Sequence, residues 1–467
     1  MLSVEALIPD LIHLLGDSNV IGTPGQRQRY SRDAFVNYGN HSDSEFFKRT
    51  TDLVVRPNSV AQVVEIVRMA NSQQIPLIPY GGGTGVMGAV VPIKGGITLD
   101  MKQLSSMLDI DEYSRTVTVG AGMLLGDLAK EMSKRHLLLG HDPWSQPIAT
   151  VGGAVSTNGV GYLAGRYGPI GDQIIGLKVV LPQGELLQTK AVSKSSPGPS
   201  LDRLFIGSEG VFGIITEVTL RVFPKPESTN IYALSFDSFE SGFKSIMEIY
   251  SLDLRPFLVD FAEEFSAAGT KHDIILYLGF DGFDEEVQTA SQRGLQICHR
   301  HGATQLEPEV AGAFWKTRHA SAERYQRDII NAPMSVPPSR SWKMEYVHVA
   351  LPPSRVLQYR KRVSHILELH GSTVREWSIW GRPDLFSFLM TEPTTIGKQG
   401  PQNTEDLLDE VLILAQDMGG TVEYCHGVGL KLSHLMGREL GTGIDLLRNL
   451  KKSLDPNNIM NPGKLGV

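Results

Sequence analysis

The sequence predicts a mixed α+β protein of two domains, and three observations carry that reading. A β-α-β unit fills TDLVVRPNSVAQVVEIVRMANSQQIPLIPYGGG and ends on three consecutive glycines, Gly81, Gly82 and Gly83. Glycine-rich punctuation then recurs as far as Gly213. Past Pro226 the pattern changes to strand-like runs separated by helical stretches.

Length and composition bound the reading. A chain of 467 residues exceeds one ordinary core, so two or three domains are expected. With 41% hydrophobic and 20% charged residues the chain is globular, not disordered. A net charge of −7 makes nucleic acid an unfavourable main partner. Two cysteines, Cys298 and Cys425, exclude a disulfide framework and point to a reducing, cytoplasmic setting. No apolar run is long enough to span a bilayer, and MLSVEALIPDLIHLLGD reads as an amphipathic first helix.

In chain order, Asp52 to Arg56 reads as a strand. A helix follows, with Pro57, Asn58 and Ser59 at its start and Val60, Val63, Val64 and Val67 on one face. Ile75 to Tyr80 is the second strand, which places IPYGGGTGVMG at a strand's carboxyl end, where α/β folds commonly bind ligands. Successive N–H groups of such a turn can cradle phosphate; taken alone, it reads first as a tight turn between strands. The dinucleotide fingerprint opening a long helix does not fit, because Ile97 to Asp100 is strand-like. Downstream, TVGGAVSTNGVG is a run of small residues suited to a large flat or phosphorylated ligand, or to a loop between packed elements. Ile174 to Leu181 is a buried strand, Pro182-Gln183-Gly184 a turn and Glu185 to Gln188 its return strand. IGSEGVFGIITEVTLRVFPKP closes the half, and SKSSPGPS at 193–200 is a surface loop.

Four segments in order, PYGGGTG, TVGGAVSTNGVG, RYGPIGDQIIGLKVVLPQGE and GSEGVFGIITEVTL, resemble the FAD-binding domain of the vanillyl-alcohol oxidase/p-cresol methylhydroxylase flavoprotein family. The resemblance implies FAD as cofactor and a two-domain α+β FAD-binding fold. Its FAD domain is built from both termini (1–225 and 425–467), around a central antiparallel-sheet cap (226–424). It assigns Pro79, Tyr80, Gly81, Gly82, Gly83, Thr84 and Gly85 to the pyrophosphate loop. It further assigns Pro143, Thr150, Gly152, Gly153, Ser156, Asn158, Gly159, Gly161 and Tyr162 to the run along pyrophosphate and isoalloxazine. Glu209, Gly210, Gly213, Ile214, Ile215, Asn461 and Lys464 complete the expected cofactor set, with Ile214 and Ile215 near the adenine. Berberine-bridge-type relatives carry a flavin-bonding histidine just after the glycines. Here the stretch is Thr84-Gly85-Val86, so non-covalent FAD is expected.

Within the cap, GAFWKTRHASAERYQRDII resembles the tryptophan/arginine helix of the alkyl-dihydroxyacetonephosphate synthase and D-lactate dehydrogenase branches. Arg318 and Arg327 are candidates to hold a substrate carboxylate or phosphate, or are ordinary surface charges. The D-lactate dehydrogenase branch carries a His-x-x-Asp-Gly-Asn-x-x-His metal cluster; the corresponding EWSIWGRPDLFSFLMTEPT has no histidine, so no metal is expected. Trp377, Trp380 and Arg382 are candidates for a substrate pocket, with the two tryptophans equally readable as core.

The C-terminal YCHGVGLKLSHLMG and LDPNNIMNPGKL resemble the family's terminal signature, which returns a histidine to the flavin. His426 is thus the expected proton acceptor as hydride leaves the substrate, assisted by Tyr424 and Lys431. Where 2-hydroxy-acid branches show Gly-Glu-His-Gly, this chain has Tyr424-Cys425-His426-Gly427. The expected activity is FAD-dependent oxidation of an alcohol or hydroxy acid, as an oxidase or dehydrogenase. The alternatives are a non-redox enzyme like alkyl-dihydroxyacetonephosphate synthase and the FAD subunit of a multi-component dehydrogenase. Expected partners are a small-molecule substrate and either oxygen or an electron-acceptor protein; a homodimer is compatible with the sequence.

Overall fold

The computed structural model describes residues 4–34, 49–265, 272–327, 344–391 and 404–467. Its regular elements form three principal sheets. The first, in the order Val20–Ile21, Leu53–Val55, Ile97–Asp100, Leu77–Tyr80, has parallel pairing among its last three strands. Helix Val60–Gln73 makes the crossover that parallel pairing requires. Ser59 caps it by accepting the Gln62 N–H, and Gln74 ends it in the left-handed region. Its apolar stripe, including Val63, Ile66, Val67 and Ala70, is fully buried against the sheet.

The second sheet is antiparallel, in the order Met107–Asp111, Thr116–Gly120, Ile214–Arg221, Ile174–Val180, Leu186–Gln188. Leu125 and Leu128 of helix Leu125–Ser133, and Val151 and Val155 of helix Val151–Thr157, fill the core beside it. The latter helix replaces what the sequence reads as a glycine-rich loop: Thr150 accepts the Gly153 N–H at 3.2 Å and starts a helical turn.

The third sheet has seven antiparallel strands: Thr304–Gln305, Ser228–Ser235, His272–Gly282, Leu258–Phe265, Val374–Trp380, Leu385–Thr391, Met344–Ala350. Side chains alternate between its faces. Phe261, Val347, Val349, Trp377, Ile379, Phe386 and Phe388 join the core formed with helices Phe239–Ser251, Asp284–Arg300 and Val356–Leu369. Asp260, Tyr346, His348, Ser378, Trp380 and Ser387 alternate with them and occupy the opposite face. Strand register places His348 opposite Ser387 and Ser387 opposite Ser378, so the polar positions line up across three strands.

The expected tryptophan/arginine helix is two shorter ones, Pro308–Thr317 and Ala320–Tyr325, broken at Arg318-His319. The chain's final segment runs from the sheet edge, where Thr421 bridges Ala350, to the first sheet, where Met460 bridges Leu77. Helix Gly443–Leu454 brings it there, and a buried network fixes the turn that follows. Lys451 Nζ donates to Asp455 Oδ2 at 2.5 Å and to the carbonyls of Val211 and Met460, while Asp455 accepts the Ile459 and Met460 N–H groups.

Candidate active site

The glycine turn after Leu77–Tyr80, helix Val151–Thr157 and the turn Glu209–Gly213 meet around a cavity of about 1190 Å³, its open mouth included. Its wall contains Pro79, Tyr80, Gly81, Gly82, Gly83, Thr84 and Gly85 from the first loop. Pro143, Thr150, Gly152, Gly153, Ser156 and Gly159 come from the second, and Glu209, Gly210, Gly213, Ile215 and Asn461 from the remaining segments. Backbone meets backbone closely here: a Cβ at Gly82 would lie 2.2 Å from the Ile148 carbonyl oxygen.

Five residues expected at the cofactor stand just behind this wall. Asn158, in the left-handed region, accepts the Gly171 N–H, and Gly161 rests on the Asp142 backbone. Tyr162 meets Phe314 and Trp315 edge-on, Ile214 lies in the core of the first sheet, and Lys464 donates to the Val91 carbonyl. Burial pulls the Lys464 ammonium down to about 7.

The wall also includes residues that sequence reasoning passed over, chiefly Asp33, His141 and Trp144. His141 follows the apolar run LLLG and precedes Asp142-Pro143; a histidine carried into the interior by such a run was the available signal. Its ring is buried, its Nδ1 has no hydrogen-bond partner among the described residues, and burial pushes its pKa down to about 4. Asn461 Oδ1 is likewise without a partner, while its amide nitrogen donates to Ala89 and Glu209. A long wall of glycine backbone, with uncommitted polar atoms at His141 and Asn461, fits an extended cofactor with phosphate and heteroaromatic parts.

The C-terminal turn brings Cys425 and His426 to the same cavity. Glu423 organises this turn: its Oε1 accepts the N–H groups of Tyr424, Cys425 and His426 at 2.9, 2.7 and 3.0 Å, and lies 3.7 Å from His426 Nδ1. Burial alone would lower the His426 pKa. Neighbouring Cys425 and the Glu423 carboxylate outweigh it and hold the imidazole well above its ordinary range.

Behind His426 lies the polar face of the seven-stranded sheet. The His348 ring meets His426 edge to face, its Nδ1 lies 2.8 Å from Ser387 Oγ, and Ser387 Oγ lies 2.7 Å from the Tyr424 hydroxyl. Burial, then the positive charge of His426, push His348 down to about 3, so it is neutral. Tyr346 stacks on His348 and donates to Glu376, whose carboxyl is raised by burial. Trp380 stands 5.6 Å from His348, ring centre to ring centre, on this face.

Other expected site residues are placed differently. Trp377 is in the core, stacked on Phe386, because its strand position points it toward the helices. Arg382 forks onto Asp384 in a surface groove, outside the cofactor cavity. Lys431 is buried and gives its ammonium to Glu345. Arg327 is exposed, and its neighbour Asp328 lies outside the described residues. Arg318 is no free surface charge: it lies over Trp315 and donates to buried Asp142 at 2.8 Å, beside His319 at 2.7 Å. It thereby ties the cap to the loop that carries His141. Among the described residues no group of three or more His, Cys, Asp or Glu is arranged to hold a metal.

The FAD binding domain family matches residues 51–190, and the C-terminal domain of FAD linked oxidases matches residues 225–465. D-2-hydroxyglutarate dehydrogenase of Xanthomonas citri pv. viticola is 30% identical over 438 residues, 88% of each chain. Glycolate oxidase subunit GlcD of Bacillus subtilis is 27% identical over 471 residues, 97% of this chain and 95% of its own. Among solved structures, an alkyldihydroxyacetonephosphate synthase superposes with a TM-score of 0.79 at 19% identity, over 100% of this chain and 86% of that one. p-Cresol methylhydroxylase superposes with 0.75 at 18%, over 99% and 96%. These two likenesses show the shared fold. No described helix is long and apolar enough to cross a membrane.

Proposed function

The chain belongs to the FAD-linked oxidase family, and on that premise we propose that it oxidises the CH–OH group of a small hydroxy acid, with FAD held non-covalently. The observation that carries this reading is the convergence of two separate parts of the chain on one cavity: the glycine loops of the N-terminal half and the Cys425-His426 turn of the C-terminal segment. The relatives' names, D-2-hydroxyglutarate dehydrogenase and glycolate oxidase subunit, supply the substrate class.

When bound, FAD supplies the hydride acceptor; the protein supplies binding, orientation and proton handling. The glycine loops and Asn461 would hold the cofactor. His426, an imidazolium beside Glu423, polarises the substrate oxygen in place of the proton-accepting role its sequence suggests. Of the two adjacent imidazoles His348 is the neutral one; burial and the His426 charge make it a weak base, so it takes only a strongly acidic proton. As the C–H hydride departs, the hydroxyl proton becomes strongly acidic. It passes through the Tyr424 and Ser387 hydroxyls to His348 Nδ1, leaving a carbonyl product. Arg318 braces the cap side of the site, and Trp380 packs beside His348. The electron acceptor is oxygen or, as the GlcD likeness favours, a partner protein.

Anaerobic mixing with glycolate, D-lactate and D-2-hydroxyglutarate, followed by flavin absorbance, tests the reading. Bleaching by at least one is expected. A flavin that dithionite bleaches and no hydroxy acid does would overturn it in favour of non-redox chemistry. Flavin released into the supernatant on acid precipitation is expected for non-covalent binding.

A further inference from the structure

Three consecutive backbone N–H groups, of Tyr424, Cys425 and His426, converge on a single oxygen of Glu423. The Glu423 side chain is 5% exposed, so little water reaches it. Burial raises its carboxyl, but His426 and the converging amides reverse that and hold it below its usual range. The same oxygen stands 3.7 Å from His426 Nδ1, too far for a hydrogen bond and close enough for strong attraction between unlike charges. His426 Nδ1 has no hydrogen-bond partner among the described residues, so this carboxylate is its nearest fixed charge there.

The groups facing His426 from other elements do not replace it. His348, from strand Met344–Ala350, is neutral. Ser387 and Tyr424 are uncharged hydroxyls engaged with each other. Glu209 is committed to the next amides of the turn, Val428 and Gly429, and burial raises it to about 7. Lys431 is committed to Glu345. On its own turn, Cys425 is the remaining titratable neighbour and raises the imidazole more than Glu423 does, while Glu423 is the group that also holds the turn's three amides.

We propose that Glu423 is a positioning residue that acts through His426: it fixes the 424–426 turn and keeps the ring a cation on the wall of the cofactor cavity. The cavity wall thereby carries a fixed positive charge, which would favour the added negative charge of a reduced flavin held there. The inference rests on FAD occupying this cavity and not on the identity of the substrate, so it survives a failed substrate screen.

The test is the flavin midpoint potential of the holoenzyme between pH 6 and 8, measured without substrate. Glu423→Gln keeps the side chain's size and its acceptor oxygen but removes the charge. It is expected to lose about tenfold in the reduction equilibrium, about 30 mV for a two-electron couple. It is also expected to show a new proton-linked break near neutrality, where the freed imidazole titrates. His426→Asn, which leaves Glu423 intact, is expected to lower the potential similarly without that break. The double variant is expected to match His426→Asn alone, because Glu423 acts through the ring. A wild-type potential in His426→Asn overturns the proposal even if Glu423→Gln fails to fold. So does a Glu423→Gln potential equal to wild type across the range, or strictly additive losses in the double variant.

Discussion

The rings of His348 and His426 meet edge to face, with centroids 4.6 Å apart and planes at 75°, and their surroundings hold them in opposite charge states. Glu423 and Cys425 stabilise the charged form of one; burial and that neighbouring charge suppress the charged form of the other. In the proposed mechanism the charged imidazole donates and the neutral one accepts.

Opposite states give opposite linkages to pH. His348, depressed from 6.5 to about 3, adds stability that is full above pH 6.5 and is lost as pH falls toward 3. His141, depressed to about 4, acts the same way. His426, raised, adds stability that is full below pH 6.5 and is lost as pH rises through its folded value. At pH 5 the His348 effect is a loss of about 2 kcal/mol. His348→Gln is expected to be less sensitive to acid than wild type by about that amount, in urea unfolding at pH 7 and pH 5. Equal sensitivity would mean that His348 is not buried neutral.

Gly82→Ala is expected to abolish FAD retention. The new Cβ would meet the Ile148 carbonyl at 2.2 Å, and neither backbone can move without opening the cavity wall. Gly437→Ala, with nothing within 4 Å of the added atom, is the control and is expected to keep wild-type flavin content. The ratio of flavin to protein absorbance after desalting checks both.

Lys451→Met is expected to cost about 3–5 kcal/mol, because it strands the buried Asp455 carboxylate. The turn it fixes carries Asn461 to the cavity, so flavin affinity is expected to fall with stability. Lys451→Met/Asp455→Leu is expected to be milder than the single variant. Urea unfolding with flavin release as a second probe separates these outcomes.

Arg318→Lys is expected to weaken the bridge from cap to cofactor loop by about 1.5–3 kcal/mol. Lysine cannot reproduce the simultaneous bonds to Asp142 and the Trp315 carbonyl, or the stacking on the Trp315 ring. A lowered unfolding midpoint together with weaker substrate binding is the expected signature. A midpoint equal to wild type would show that His319 alone secures Asp142.

Much of this architecture was legible in the sequence because local signals and burial agreed. The strand ending at Tyr80, the Ser59-capped helix and the glycine turn all use patterns that neighbours do not override. The short helix at 151–157 escaped notice because its residues are small and weakly helical; the Thr150 cap and the tight packing around it make it helical. Trp377 and Trp380 look equivalent in sequence, but alternation along one strand sends the first into the core and the second to the polar face. His348 gave no signal, since a histidine in an apolar strand reads as core. Its meaning comes from Ser387, 39 residues away, and His426, which only strand register and the C-terminal return bring beside it. The surroundings of His426 are hidden for the same reason: its spacing from Glu423 matters only once the turn folds the carboxylate back over three amides.

The most direct test of hydride removal from a hydroxy acid is single-turnover flavin reduction under anaerobic conditions. The substrate is whichever acid bleaches the flavin, with hydrogen or deuterium on the carbinol carbon. A rate several-fold slower with deuterium is expected in the wild-type enzyme, and a slower reduction that keeps the isotope effect is expected in His348→Gln. Bleaching that is indifferent to deuterium in both proteins would contradict it.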